Sequence, residues 1–320
     1  MRMTKKGQFN FVWIFAILAG GTILALAIWG ATQAGDTLRF QSDTEAGKSI
    51  SILTDPLQSG FAEGSFGKIS FRQETRLRNV CLGPGFGKND ISIAMQSGVG
   101  EKWNSAGGAT SVYNKYIFSE EVNEGEDFFV FSKAFNFPYE VSDLVFLSSK
   151  NYCFLNAPDF VEEDISGLGI DNIVLDNCSS GDERVCFGSG SDCDAIVYGS
   201  CSSGCDSVYD FGKVVRSSDE MVYVGNLMYG AIFSDEAVYD CNVLRLLYRA
   251  GSIADVFSEK VDLMNARGCN SNLKGDLIVW GGMLENSTSE DLIGLNGFAE
   301  ELERKNKGGG GSSGELCGVW

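Results

Sequence analysis

Residues 9–29 read FNFVWIFAILAGGTILALAIW, a run without one charged side chain. At 1.5 Å per residue it makes a helix of about 31 Å, the thickness of a bilayer's hydrocarbon core. Trp13 and Trp29 stand near its two ends, where indole rings favour the membrane interface. Arg2, Lys5 and Lys6 precede the run and Asp36 follows it. The positive-inside rule therefore puts a basic leader, residues 1–8, in the cytoplasm, a transmembrane helix over 9–30, and the remainder outside. Two other readings compete. A helix this apolar can sit in a protein core, but basic residues in front and an acidic chain behind do not suit one. A secretory signal cut near Thr32, Gln33 and Ala34 would also export the chain, although such signals have shorter apolar cores, about 7–15 residues.

The chain carries 43 acidic and 25 basic residues, a net charge of -18, and no histidine. Without Arg2, Lys5 and Lys6 the balance is 22 minus 43, or -21. Such a surface repels nucleic-acid phosphates and anionic lipid, which argues against nucleic acid as a partner. The missing imidazole removes the general base of Ser–His–Asp triads and the commonest zinc ligand. Enzymes built on carboxylates, lysine or cysteine stay open, but among 43 acids a suggestive carboxylate pair carries no specificity. There is no phosphate-binding loop, nucleophile elbow or dinucleotide fingerprint, and Gly83-Pro84-Gly85-Phe86-Gly87 reads as a turn. No cofactor and no catalytic residue is expected.

All ten cysteines lie beyond the apolar run: Cys81, Cys153, Cys178, Cys186, Cys193, Cys201, Cys205, Cys241, Cys269 and Cys317. An even number in an exported domain implies five disulfides. Loop geometry favours Cys81 with Cys153, and pairs within 178–205. Cys241 and Cys269 flank a helix of about 40 Å, so each is expected to pair elsewhere unless the chain bends sharply at Gly251. Cys317 is placed to pin the tail to the body. Zinc is disfavoured, because Cys201-Ser-Ser-Gly-Cys205 is the nearest approach to a knuckle and lacks a second pair. Asp182, Asp192 and Asp194 are calcium candidates by proximity, without the spacing of a calcium loop. Two sequons, Asn286-Ser287-Thr288 and Asn177-Cys178-Ser179, permit N-glycosylation on an exported domain. Asn177 is the poorer, since a disulfide at Cys178 would restrict access.

Residues 31–155 read as mostly β. Segments 49–53, 68–72, 90–95, 115–118 and 128–131 are rich in β-branched and aromatic side chains, with glycine turns between them. Lys68-Ile69-Ser70-Phe71-Arg72 alternates polar and apolar, and a sandwich of antiparallel strands is the economical arrangement. Residues 156–232 form a cysteine-rich α+β region that opens on a helix behind Pro158, stopped by Gly167 and Gly169. Over 233–306 the pattern is helical. Ala237, Cys241, Leu244, Leu247, Ala250, Ala254, Phe257, Val261 and Met264 recur every three or four positions. Gly251 marks a bend or junction, Gly268 ends the run, and 289–305 makes a second helix. A Gly/Ser-rich tail, 307–320, carries Cys317 and Trp320. The expected fold class is α+β: an N-terminal transmembrane helix, a β-sandwich-like strand region, then a disulfide-stapled α+β region with C-terminal helices.

Lys5-Lys6-Gly7-Gln8, followed at once by the apolar helix, resembles the class III, prepilin-type signal sequences of archaeal pilins and archaellins. The resemblance is confined to residues 1–30. It implies that a membrane peptidase cuts between Gly7 and Gln8 and leaves the helix on the mature chain. Many such proteins carry Glu at the fifth mature position, where it helps set subunit register in a filament. Here that position is Val12, a departure that bears on polymerisation more than on processing. The implied partners are the lipid bilayer, through residues 9–30, and cell-surface proteins or like subunits. The expectation is a single-pass, anchored cell-surface protein whose acidic ectodomain serves structure or contact. The alternatives are an extracytoplasmic carboxylate-based enzyme, such as a glycan hydrolase, and a ligand- or cation-binding receptor domain.

Overall fold

The computed structural model describes residues 13, 15–30, 65–96, 102–200, 209–308 and 317–320. The strand expected at 49–53 and the processing site at Gly7 and Gln8 lie outside them. Helix α1 is described over 15–30, with side chains exposed along it, among them Trp13, Phe15, Leu24 and Trp29. Among the described residues no helix is long and apolar enough to cross a membrane. The described part of α1 falls short of the ~20 residues a span needs. The expected segment 9–30 also includes 9–12 and 14, which are outside the description.

Six strands form the first sheet: β1 (Ser65–Leu82), β2 (Lys88–Met95), β3 (Thr110–Tyr113), β4 (Tyr116–Phe118), β5 (Val122–Asn136) and β6 (Glu140–Ser148), in the order β3-β2-β1-β5-β6-β4. Neighbours run antiparallel except β4, which lies parallel to β6. The long strands β1 and β5 slip register between Ser70 and Thr75, an irregularity of the kind that bends a ladder and increases its twist. The expected two-sheet sandwich is therefore corrected: one sheet curls on itself until β2 touches β4. Leu77, Ile91, Ile93, Val112, Ile117, Phe128, Val130, Val145 and Leu147, drawn from all six strands, close a small core inside the curl.

The second sheet has the order β12-β11-β10-β9-β7-β8, from β7 (Tyr152–Leu155), β8 (Ile173–Leu175), β9 (Glu183–Phe187), β10 (Ala195–Ser200), β11 (Phe211–Arg216) and β12 (Asp219–Val224). Strands β8, β7, β9 and β10 are parallel; β10, β11 and β12 alternate. Helix α2 (Asp159–Leu168) makes the crossover from β7 to β8, as a parallel pair requires, and ends at Gly169 in the left-handed conformation.

Helix α3 (Leu227–Phe233) lies between the sheets, in contact with β6 of one and with β11 and β12 of the other, and all seven of its residues are buried. Helix α4 (Glu236–Ala266) then runs unbroken through Gly251, which corrects the expected bend. Gly251 instead marks where α5 (Lys274–Glu285) crosses: a Cβ there would stand 3.6 Å from the Gly281 carbonyl oxygen. A short 3-10 turn (Ser289–Asp291) and α6 (Leu292–Asn306) follow. The chain's last residues return to the body. Val319 is fully buried, and the Trp320 ring stands edge-on to Tyr139 at 5.4 Å.

A Cβ on Gly230 of α3 would meet Phe118 at 2.7 Å. Alanine normally stabilises a helix interior, but overpacking a closed core costs ~1–3 kcal/mol. Gly230→Ala is therefore expected to lower the urea midpoint. Gly275→Ala on α5, where nothing lies within 4 Å, is expected to raise it slightly.

Candidate functional site

The cysteines form four described disulfides: Cys81–Cys241, Cys153–Cys178, Cys186–Cys193 and Cys269–Cys317. The expected pair Cys81–Cys153 is corrected. Cys81 ends β1 against the start of α4, whereas Cys153 sits in β7 of the other sheet beside the β8–β9 connection that carries Cys178. Cys201 and Cys205 lie outside the described residues. Cys186–Cys193 ties the unusually short return between the parallel neighbours β9 and β10. Gly190 crosses this bond so closely that a Cβ would meet both sulfurs within 2.7 Å.

The three calcium candidates take these places in the structure. Asp182 accepts a bond from the Ser179 backbone N–H at 2.6 Å, Asp194 accepts one from Arg184 at 2.8 Å, and Asp192 holds a left-handed turn at φ 63°. Two of these carboxylates brace local turns, and among the described residues there is no group of three acidic, cysteine or histidine side chains that could hold a metal ion.

A cleft of about 680 Å³ opens between the start of α2, the β12–α3 turn and Tyr209. Pro158, Asp159, Phe160, Glu163, Tyr209, Asp210, Gly225 and Asn226 line it. It lies at the carboxyl end of β7, beside its parallel neighbour β9, and the chain leaves these two strands in opposite directions, from β7 toward β8 and from β9 toward β10. Ligands of parallel sheets settle at such a divergence. Two aromatic rings, three carboxylates and an amide equip it to hold cationic or hydroxyl-bearing groups. No basic side chain and no serine or cysteine appears among its described lining residues.

A second cleft, about 400 Å³, lies between the β1–β2 turn, α4 and the end of α5, with Pro84, Leu244, Tyr248 and Leu284 on its walls and Arg245 at its base. Arg245 is 1% exposed. It donates to Phe86 O at 2.8 Å, Asn89 Oδ1 at 2.5 Å, Asn242 Oδ1 at 2.9 Å and Lys115 O at 2.9 Å, and it lies over the Tyr116 ring. Asn89 in turn donates to Asn79, and both Asn79 and Asn242 donate to Ile117 O. These bonds tie α4 to the open edge of the curled sheet. Every recorded acceptor is neutral, so burial draws the guanidinium pKa down to about 10. The sequence did carry a signal for this cluster: Asn242 and Arg245, three apart, interrupt the apolar face of α4.

Between the sheets stand four charges. Glu120 meets Lys150 at 2.7 Å and Arg216 at 2.8 Å, and Glu183 meets both cations from the second sheet. Burial works against the Lys150 charge, but its bonds to Glu120 and Glu183 outweigh that and hold its pKa above the ordinary value. The quartet is balanced and mutually satisfied, which makes it a tie between sheets.

Burial raises the pKa of Tyr116, Tyr139, Tyr152, Tyr223, Tyr229 and Tyr239. In the unfolded chain these phenols ionise near pH 10, while in the folded chain they stay protonated. Each therefore contributes stability that is complete below pH 10 and is lost above it by about 1.4 kcal/mol per pH unit. Arg245 has the opposite sign, since its lowered pKa makes stability rise with pH above about 10, but it is one group against six. The urea midpoint is expected to fall steeply between pH 9 and pH 11. Arg245→Met strands four acceptors and is expected to cost about 3 kcal/mol or more at pH 7 by urea unfolding.

Comparison with protein-family models, with curated proteins and with solved structures returned no match for this chain.

Proposed function

We propose that this protein is held in a membrane by its N-terminal apolar helix and presents a disulfide-braced acidic domain outside the cytoplasm, where it serves structure or contact. The observation that carries the reading is the set of four disulfides, one of which joins residues 160 apart in sequence. Thiols this numerous pair stably in oxidising compartments and stay reduced in the cytosol. The apolar run 9–29 and the exposed apolar side chains of α1 support an anchor, since a helix apolar on every side needs a non-aqueous neighbour. The basic pair before Gly7 and Gln8 supports a pilin-like leader.

The test is fractionation of cells producing the full chain, with thiols blocked at lysis. The expected result is a protein that stays in the membrane pellet after alkaline carbonate extraction and shows no reactive thiol at Cys81, Cys153 or Cys241. Ile17→Arg with Leu24→Arg adds about 3 kcal/mol of insertion cost per arginine and is expected to release the chain. Recovery of the unaltered protein from the soluble cytosol with free thiols overturns the proposal.

A second reading, a receptor domain for a cationic ligand, is favoured by the acidic, aromatic-walled cleft at α2. Spermidine at 100 times its Kd would stabilise the fold by about 2.7 kcal/mol. Under this reading the melting temperature rises with spermidine, and Asp159→Asn with Glu163→Gln abolishes the rise. No shift in the unaltered protein counts against it.

A further inference from the structure

We infer that Asn286 is an N-glycosylation site of this protein and that Asn177, in the other sequon, is not one. The inference rests on the extracytoplasmic reading above. Asn286 is the residue after α5, in an exposed turn, with its backbone N–H donating to Met283 O at 3.2 Å. Its Nδ2 donates to Gly282 O at 2.9 Å. An N-linked amide keeps one N–H, so the sugar takes the place of the other hydrogen and this bond survives modification. In the transfer Nδ2 forms a bond to C1 of a sugar carried on a lipid phosphate. The phosphate leaves with the C1–O bond pair, and Nδ2 gives up one proton.

The surface beside Asn286 points the same way. The outward face of α5 presents Gly275, Ile278, Val279, Gly282 and Met283, with Ile278 54% and Val279 53% exposed. Side chains on a helix lean toward its N-terminus, so a glycan rooted at Asn286 starts over Gly282 and Met283 and extends along this stripe. Two glycines with nothing near their Cβ positions leave the face flat enough to be covered. An uncovered apolar face on a protein of net charge -18 is otherwise unaccounted for by the fold.

Hydrogen bonds reach both sequons, and what sets the Asn177 sequon apart is covalent, a disulfide at its middle residue. Asn177 N–H donates to Leu175 O at 2.8 Å, Cys178 is bonded to the fully buried Cys153, and Ser179 N–H donates to Asp182 at 2.6 Å. An enzyme that must draw the tripeptide into its own cleft would have to break the disulfide or lift β8 from β7.

The full chain is to be expressed through a glycosylating secretory route, thiols blocked at lysis, and its peptides mapped by mass spectrometry before and after N-glycosidase digestion. Glycan is expected on the Asn286 peptide alone. The mobility shift is lost in Asn286→Gln and kept in Asn177→Gln, and the Asn286→Gln protein binds more of an apolar-surface dye. A chain with its disulfides formed but Asn286 bare, or with glycan on Asn177, overturns the inference and leaves the localisation reading standing. Free thiols together with no glycan overturn both.

Discussion

Seven consecutive residues, Leu227–Phe233, are all buried, and a helix with no wet face exists only between layers that cover it on both sides. This constraint sets the positions of everything else. Phe131 and Phe146 approach from the curled sheet and Tyr152 and Phe154 from the parallel one, with rings gathered around Phe233 and Tyr229. Gly230 is where Phe118 comes closest, so the helix can sit flush only because that position has no side chain.

Polar ties then fix the orientation that apolar burial leaves free. The Glu120–Lys150–Glu183–Arg216 quartet joins the sheets at one edge, and Arg216 also donates to Ser234 O at the end of α3. Arg245 and its asparagines join α4 to the first sheet, with Cys81–Cys241 alongside. A buried guanidinium bonded only to neutral acceptors is costly to desolvate, and its value lies in geometry: the segment 86–89, Lys115 and α4 must all be in register for it to be satisfied at all. The disulfides act on the same plan. Cys81–Cys241 and Cys269–Cys317 bind distant segments, while Cys153–Cys178 and Cys186–Cys193 brace the short connections of the parallel strands.

This arrangement leaves two surfaces free for work. The cleft at α2 opens where the chain leaves the neighbours β7 and β9 in opposite directions, toward β8 and toward β10. The apolar face of α5 exists because that helix spends its other side, Leu277, Trp280, Gly281 and Leu284, on packing.

The strands at 68–72, 90–95, 115–118 and 128–131, the helix behind Pro158 and the long helix ended by Gly268 were legible in the sequence, because alternation, periodicity and glycine stops are local signals. The short helix α3 was not, since a helix buried on every side has no period to read, and α5 hid its pattern behind an apolar outer face. The partner of Cys81, the curl of the first sheet and the cleft were decided only in three dimensions. By itself the sequence determined where backbone hydrogen bonds close locally, how acidic the surface is and that ten sulfurs must be accommodated. Which elements meet was left to the tertiary structure, because long-range contacts are selected by the joint packing of many side chains.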